Sequence, residues 1–183
     1  VLNPKRLDPG ILLALLVIVS GCSTMTPPPP ATGDIAVIAL KEGHAARQAY
    51  QEAERELGAL LSSRGATVYR YSDVAFYAHK VESSSPLTPR EQALQAARFH
   101  PALARGEILF FSVAMQAVGD PGQVVVRAER FAVSDGRQLA ASEAVQPVAL
   151  SDNAQHNRAS WQAAIRQACG EVMKTSLPLL HRK

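Results

Sequence analysis

The chain has 183 residues, 47% of them hydrophobic, with 19 lysines and arginines against 16 aspartates and glutamates and a formal charge of +3. That apolar fraction excludes a disordered chain and suits one core-bearing domain. No long run of one sign is present, and Lys5 and Arg6 lie in a segment expected to be removed, so the basic patch that nucleic acid binding requires is missing.

In chain order, Lys5 and Arg6 precede an uninterrupted apolar run from Ile11 to Val19, closed by Ser20, Gly21 and Cys22. Basic, apolar and small residues in that order read as a secretory signal. Spanning a bilayer takes about 20 apolar residues, so the run is too short to remain as an anchor. Ser20-Gly21-Cys22 resembles the lipobox of bacterial lipoproteins. The resemblance implies cleavage between Gly21 and Cys22 and a lipid on the Cys22 thiol, holding the protein to a membrane. Ser23 in place of aspartate resembles the sorting pattern for the outer membrane, on its periplasmic face. The alternative is an ordinary signal peptide whose end carries a cysteine by chance.

Residues 1–21 are thus read as signal, 22–33 as lipidated cysteine and linker, and 34–183 as one periplasmic domain. A domain of that size buries roughly 68–70% of its unfolded surface, enough for an independent core. Pro27 to Pro30 favour the extended polyproline form, and about eleven linker residues at ~3.1 Å each reach only ~30 Å.

Ile35 to Leu40 is a continuous apolar run with β-branched members, which predicts a strand buried on both faces. Ala46, Tyr50, Ala53, Leu57, Leu60 and Leu61 follow at helical spacing, and Gly65 stops that helix. Thr67 to Tyr71 alternates as a second strand, completing a βαβ unit with a parallel pair. Ser72 to Leu87 carries no clear periodicity and reads as a long connection. Thr88, Pro89 and Glu91 form a capping-box pattern that opens a second helix, expected to run to about Phe99. Glu107 to Val118 is the best candidate for a central strand. Turns at Gly119 to Gly122 and Ser134 to Arg137 then predict two hairpin-linked strands, Gln123 to Val133 and Gln138 to Val148. Asp152 or Asn153 caps a closing helix striped by Trp161, Ala164, Ile165, Ala168, Val172 and Met173. The fold class is α/β: a mixed, roughly five-stranded sheet with three helices.

Ala66-Thr67-Val68 after Gly65, Gly106-Glu107-Ile108-Leu109, and Arg127-Ala128-Glu129-Arg130-Phe131 with Ser134-Asp135-Gly136-Arg137 carry a resemblance. Over Ile35 to about Leu177 the chain is similar to the small α/β envelope domains of the TolB amino-terminal, CsgG and FlgO group. It departs from them at Phe111 and Ser112, where the group has a glycine. The resemblance implies a non-enzymatic scaffold or docking factor for another envelope protein. Activators of cell-wall synthases of the LpoB type share this domain type and form the alternative, although a ~30 Å tether is short for crossing toward the inner membrane.

The sequence holds no nucleophile elbow, no phosphate-binding glycine loop, no dinucleotide fingerprint and no H-E-x-x-H zinc pattern. His44, His79, His100, His156 and His181 are scattered without partner ligands at metal spacing, so neither metal nor cofactor is expected and each reads as a surface histidine. Glu52, Glu54 and Glu56 read as a solvated helix face, and Ser83 to Ser85 as loop composition. An enzyme is therefore the least favoured class. With Cys22 lipidated, Cys169 has no disulfide partner and reads as a buried core residue, the alternative being an exposed thiol. Trp161 reads as a core anchor or else a partner hot spot. Val74, Phe76 and Tyr77 are the partner-binding candidates, because they follow the second strand on the side where open α/β sheets place binding crevices. The alternative is that they close off the sheet edge.

Overall fold

The structure, a computed structural model, describes residues 33–41, 45–116 and 122–176. The signal segment, Cys22, the linker through residue 32, His44, the turn at 119–121 and His181 lie outside the described residues.

Five strands form one sheet in the order β2-β1-β3-β4-β5. β1 (Asp34–Ala39) lies between two parallel neighbours, β2 (Thr67–Arg70) and β3 (Glu107–Gln116). β4 (Gly122–Ala132) and β5 (Gln138–Val148) continue from β3 as antiparallel hairpins. Both faces of β1 are buried, as its unbroken apolar run requires. Gly106, at the start of β3, has room only for a hydrogen: a Cβ there would stand 2.4 Å from the Asp34 carbonyl oxygen.

One face of the sheet is covered by two long helices, α1 (Arg47–Ser63) and α4 (Ala154–Ser176). Ile35, Val37, Leu109, Phe111, Val113, Val124 and Val126 point into this layer and meet Leu57, Leu61, Ile165, Ala168, Val172 and Met173. α1 ends in a Schellman motif: Ala66 N–H donates to the Leu61 carbonyl (3.2 Å), Gly65 N–H to that of Ser62 (3.0 Å), and Gly65 takes φ +88°. Cys169 is fully buried here, and burial pushes its thiol up to about 12. Trp161 packs against the layer's end and is only partly buried. Arg130, with no exposed surface, reaches within 3.4 Å of Glu107; burial lowers the Arg130 guanidinium and raises the Glu107 carboxyl, each partly offset by the other's charge.

The opposite face carries two short helices, α2 (Tyr71–Ala75) and α3 (Pro89–Ala97), with single 3-10 turns at Ala78–Lys80 and Leu103–Arg105. Val74, Ala93, Ala96, Ala97 and Leu103 cover Ala36, Ile38, Ile108, Phe110 and Phe131. This cover stops short. Beyond it, Ser112, Ala114, Val125, Arg127, Ala141 and Glu143 line an open depression of about 660 Å³.

The mixed α/β architecture, the βαβ start, the two hairpins and the closing helix are as expected, but the described residues hold four helices rather than three. The additional one is α2. Five residues are too few for an apolar stripe, and its cap is an aspartate inside the helix, Asp73, whose carboxylate accepts the Arg70 N–H (2.8 Å). β2 accordingly ends at Arg70, because Tyr71 already belongs to α2, and α3 stops at Ala97, two residues before Phe99. Among the described residues no helix is long and apolar enough to cross a membrane.

Candidate docking surface

The first part of the connection after β2, through Lys80, is helical rather than irregular, whereas residues 81–87 carry no regular element, as the composition suggests. α2 passes into the Ala78–Lys80 turn through successive short bonds, Tyr77 N–H to the Val74 carbonyl (3.0 Å) and Lys80 N–H to the Tyr77 carbonyl (3.0 Å). This tight winding separates the three candidate residues. Val74 turns inward and is wholly buried in the α2–α3 core, so it has no surface to offer a partner. Phe76 turns outward and is 69% exposed. Tyr77 lies between, partly buried against the core and partly at the surface.

Phe76 and Tyr77 do not stand alone. Five rings form a row, each set edge-on to the next: Tyr69 to His100 at 4.8 Å between centroids, His100 to Tyr77 at 5.3 Å, Tyr77 to Phe76 at 5.2 Å, and Phe76 to His79 at 6.0 Å. Edge-to-face contact is the favoured arrangement for aromatic pairs, so the rings form one continuous strip. Tyr69, Ser72, Asp73, Phe76, Tyr77 and His100 together line an open hollow of about 560 Å³.

Polar contacts fix the row. The Tyr69 hydroxyl donates to Asp34 Oδ1 (3.1 Å); burial, then the Asp34 carboxylate, pushes its phenol above the ordinary value. His100 Nδ1 accepts the backbone N–H groups of Ala102 and Leu103 (3.2 Å each), so the ring proton is assigned to Nε2. His79 Nδ1 donates to the Phe76 carbonyl (2.8 Å). Lys80 Nζ stands 5.4 Å from the Tyr77 ring centroid, a cation over an aromatic face.

Sequence reasoning missed Tyr69 and His100. Tyr69 read only as one more alternating strand residue, and His100 as a surface histidine, whereas His100 caps the Leu103–Arg105 turn and joins the two aromatic ends of the row. No local pattern connects position 69 with position 100; only the fold does. His79 and His156 are exposed as read, and Glu52 pairs with Arg55 (2.6 Å) on α1. Among the described residues no three histidines, cysteines or acids gather as metal ligands would.

No family model matches the sequence, and no curated protein matches it. Solved structures of similar fold do. The PelC dodecamer from Paraburkholderia phytofirmans is 14% identical over 82% of this chain and 91% of its own, with a TM-score of 0.52. A single-substitution variant of that dodecamer is 17% identical over 83% and 96%, also with a TM-score of 0.52. Lipoprotein GNA1162 from Neisseria meningitidis is 17% identical over 75% and 96%, with a TM-score of 0.47. At these identities the PelC likeness establishes the fold alone.

Proposed function

We propose that the mature chain is a non-enzymatic lipoprotein of the bacterial outer membrane, anchored on the periplasmic face through Cys22, which docks another envelope protein onto the outer end of the ring strip, at Phe76 and His79. The exposure of Phe76 carries this reading. Leaving a phenylalanine in water forgoes about 1.5–3 kcal/mol of burial, and here the exposed ring is held by two aromatic neighbours rather than scattered singly. Aromatic side chains fixed in this way supply interface energy when a partner desolvates them.

The anchoring half of the reading rests on Ser20-Gly21-Cys22 and on the apolar run before it. Acyl chains contribute about 0.8 kcal/mol per buried methylene, so several together hold a protein almost irreversibly. The ~30 Å reach of the linker keeps the domain beside its own membrane, which favours a scaffold over an LpoB-type regulator of the opposite membrane. The group resemblance to TolB, CsgG and FlgO domains fits the same role.

Two experiments test the halves separately. Cys22→Ala is expected to release the protein to the soluble periplasm or leave it unprocessed; processing and membrane retention like wild type would contradict lipidation. Joint Phe76→Ala and His79→Ala substitution, both at exposed positions, is expected to abolish in-cell crosslinking to the partner with little change in melting temperature. A lower melting temperature with crosslinking intact would make the strip structural.

A further inference from the structure

The same ring strip has a second property that the docking role does not use. Its inner end is tied to the point where the chain enters the domain: Tyr69 holds Asp34, the first residue of β1. Immediately before it, Gly33 takes φ +101°, a left-handed conformation that redirects the chain and that other residues rarely adopt. Four residues upstream of Asp34 stands Pro30, the last of four consecutive prolines.

A polyproline segment has a narrow chemistry. It has no N–H to donate, every carbonyl is a free acceptor, and its sides are flat apolar pyrrolidine rings. The complementary surface is a strip of aromatic rings interrupted by hydrogen-bond donors. Tyr69, His100 and Tyr77 form that surface. The His100 Nε2–H is a donor because Nδ1 accepts two backbone amides, and Tyr77 adds a hydroxyl. The reach also fits: at ~3.1 Å per residue, four residues span about 12 Å and the seven from Pro27 to Asp34 about 22 Å. The rings from Tyr69 to Tyr77 follow one another at 4.8 and 5.3 Å between centroids, well inside that span.

We propose that Pro27–Pro30 of this chain lies along the Tyr69–His100–Tyr77 end of the strip as an intramolecular strap, with the linker carbonyls accepting from His100 Nε2 and the Tyr77 hydroxyl. The strap leaves Phe76 and His79, at the outer end, open to a partner. It also shortens the free tether to the few residues around Cys22 and so fixes which face of the domain looks toward the membrane. The inference needs the strip but not a partner on it.

The test uses the full mature chain with Cys22→Ser, so that it stays in solution. Nuclear Overhauser contacts are expected between the δ-protons of Pro27–Pro30 and the ring protons of Tyr69 and Tyr77. Replacing all four prolines by serine is expected to remove those contacts and to shift the ring resonances of Tyr77 and His100. The Tyr50–Phe111 contact, 6.4 Å between ring centroids in the core, reports that the domain is folded in both samples. Absence of proline–ring contacts while the core contact is present overturns the strap, and so do ring resonances unmoved by the serine replacement. Neither result touches the partner reading, which is scored by crosslinking.

Discussion

The two faces of the sheet are built to different standards. The α1–α4 face is closed by 17- and 23-residue helices, whereas the opposite face has helices of five and nine residues and leaves the depression beside Ser112, Arg127 and Glu143 open. Long helices gain their stability from a continuous apolar stripe. Short ones depend on caps and on a few fully buried side chains, which frees the rest of their surface for other contacts. In the proposed docking role the closed face serves as foundation, and the partly covered face, with its ring strip, offers the partner exposed apolar surface.

If that comparison is right, neighbouring residues of β3 report on both faces at once. Phe110 points into the α2–α3 core and Phe111 into the α1–α4 core, each about 1% exposed. Phe110→Asp and Phe111→Asp should each abolish cooperative folding, because removing the ring alone costs about 3–5 kcal/mol and the buried carboxylate adds several more. Thermal denaturation followed by circular dichroism checks this, and a near-wild-type melt for Phe110→Asp would mean that the short-helix face has no true core.

A smaller effect is expected at the seam between β1 and β3. Gly106→Ala places a methyl against the Asp34 carbonyl, a backbone atom that cannot swing aside, and should destabilise by about 1–3 kcal/mol in urea unfolding. An unchanged midpoint would show that the start of β3 can slide.

The mildest change sharpens the claim that caps sustain the short helices. Thr88→Ala removes the hydroxyl that accepts the Glu91 N–H and should cost about 1 kcal/mol. The Thr88 backbone N–H, then its hydroxyl, hold the Glu91 carboxyl below the ordinary value. A carboxyl lowered in the folded state stabilises above its unfolded pKa, and that contribution is lost as pH falls through the folded value. Glu91→Gln should therefore flatten the acid limb of the stability curve measured by melts from neutral pH downward; an unaltered limb would contradict the cap's role.

The sequence carried the fold through signals that are local or periodic. The β-branched run of β1, the α1 stripe ending at Gly65 and the Thr88 capping box each appear where their chemistry placed them. Cys169 is likewise buried, as its apolar helical setting implied. What could not be read was α2, whose five residues show no period, and the inward turn of Val74 against the outward turn of Phe76. In an irregular segment both would face the same solvent; in a helix two residues rotate by about 200°, which puts them on opposite sides. Nor could the strip be assembled, since Tyr69 and His100 come from elements that only the tertiary fold brings together.

Site-specific photo-crosslinking in living cells tests the central claim most directly. A photoreactive phenylalanine analogue at position 76 samples the strip, and one at exposed Arg166 on α4 samples the closed face of the same molecule. The account predicts a discrete heavier adduct from position 76 that is absent from position 166. Adducts of equal yield from both positions, or none from position 76, would contradict it.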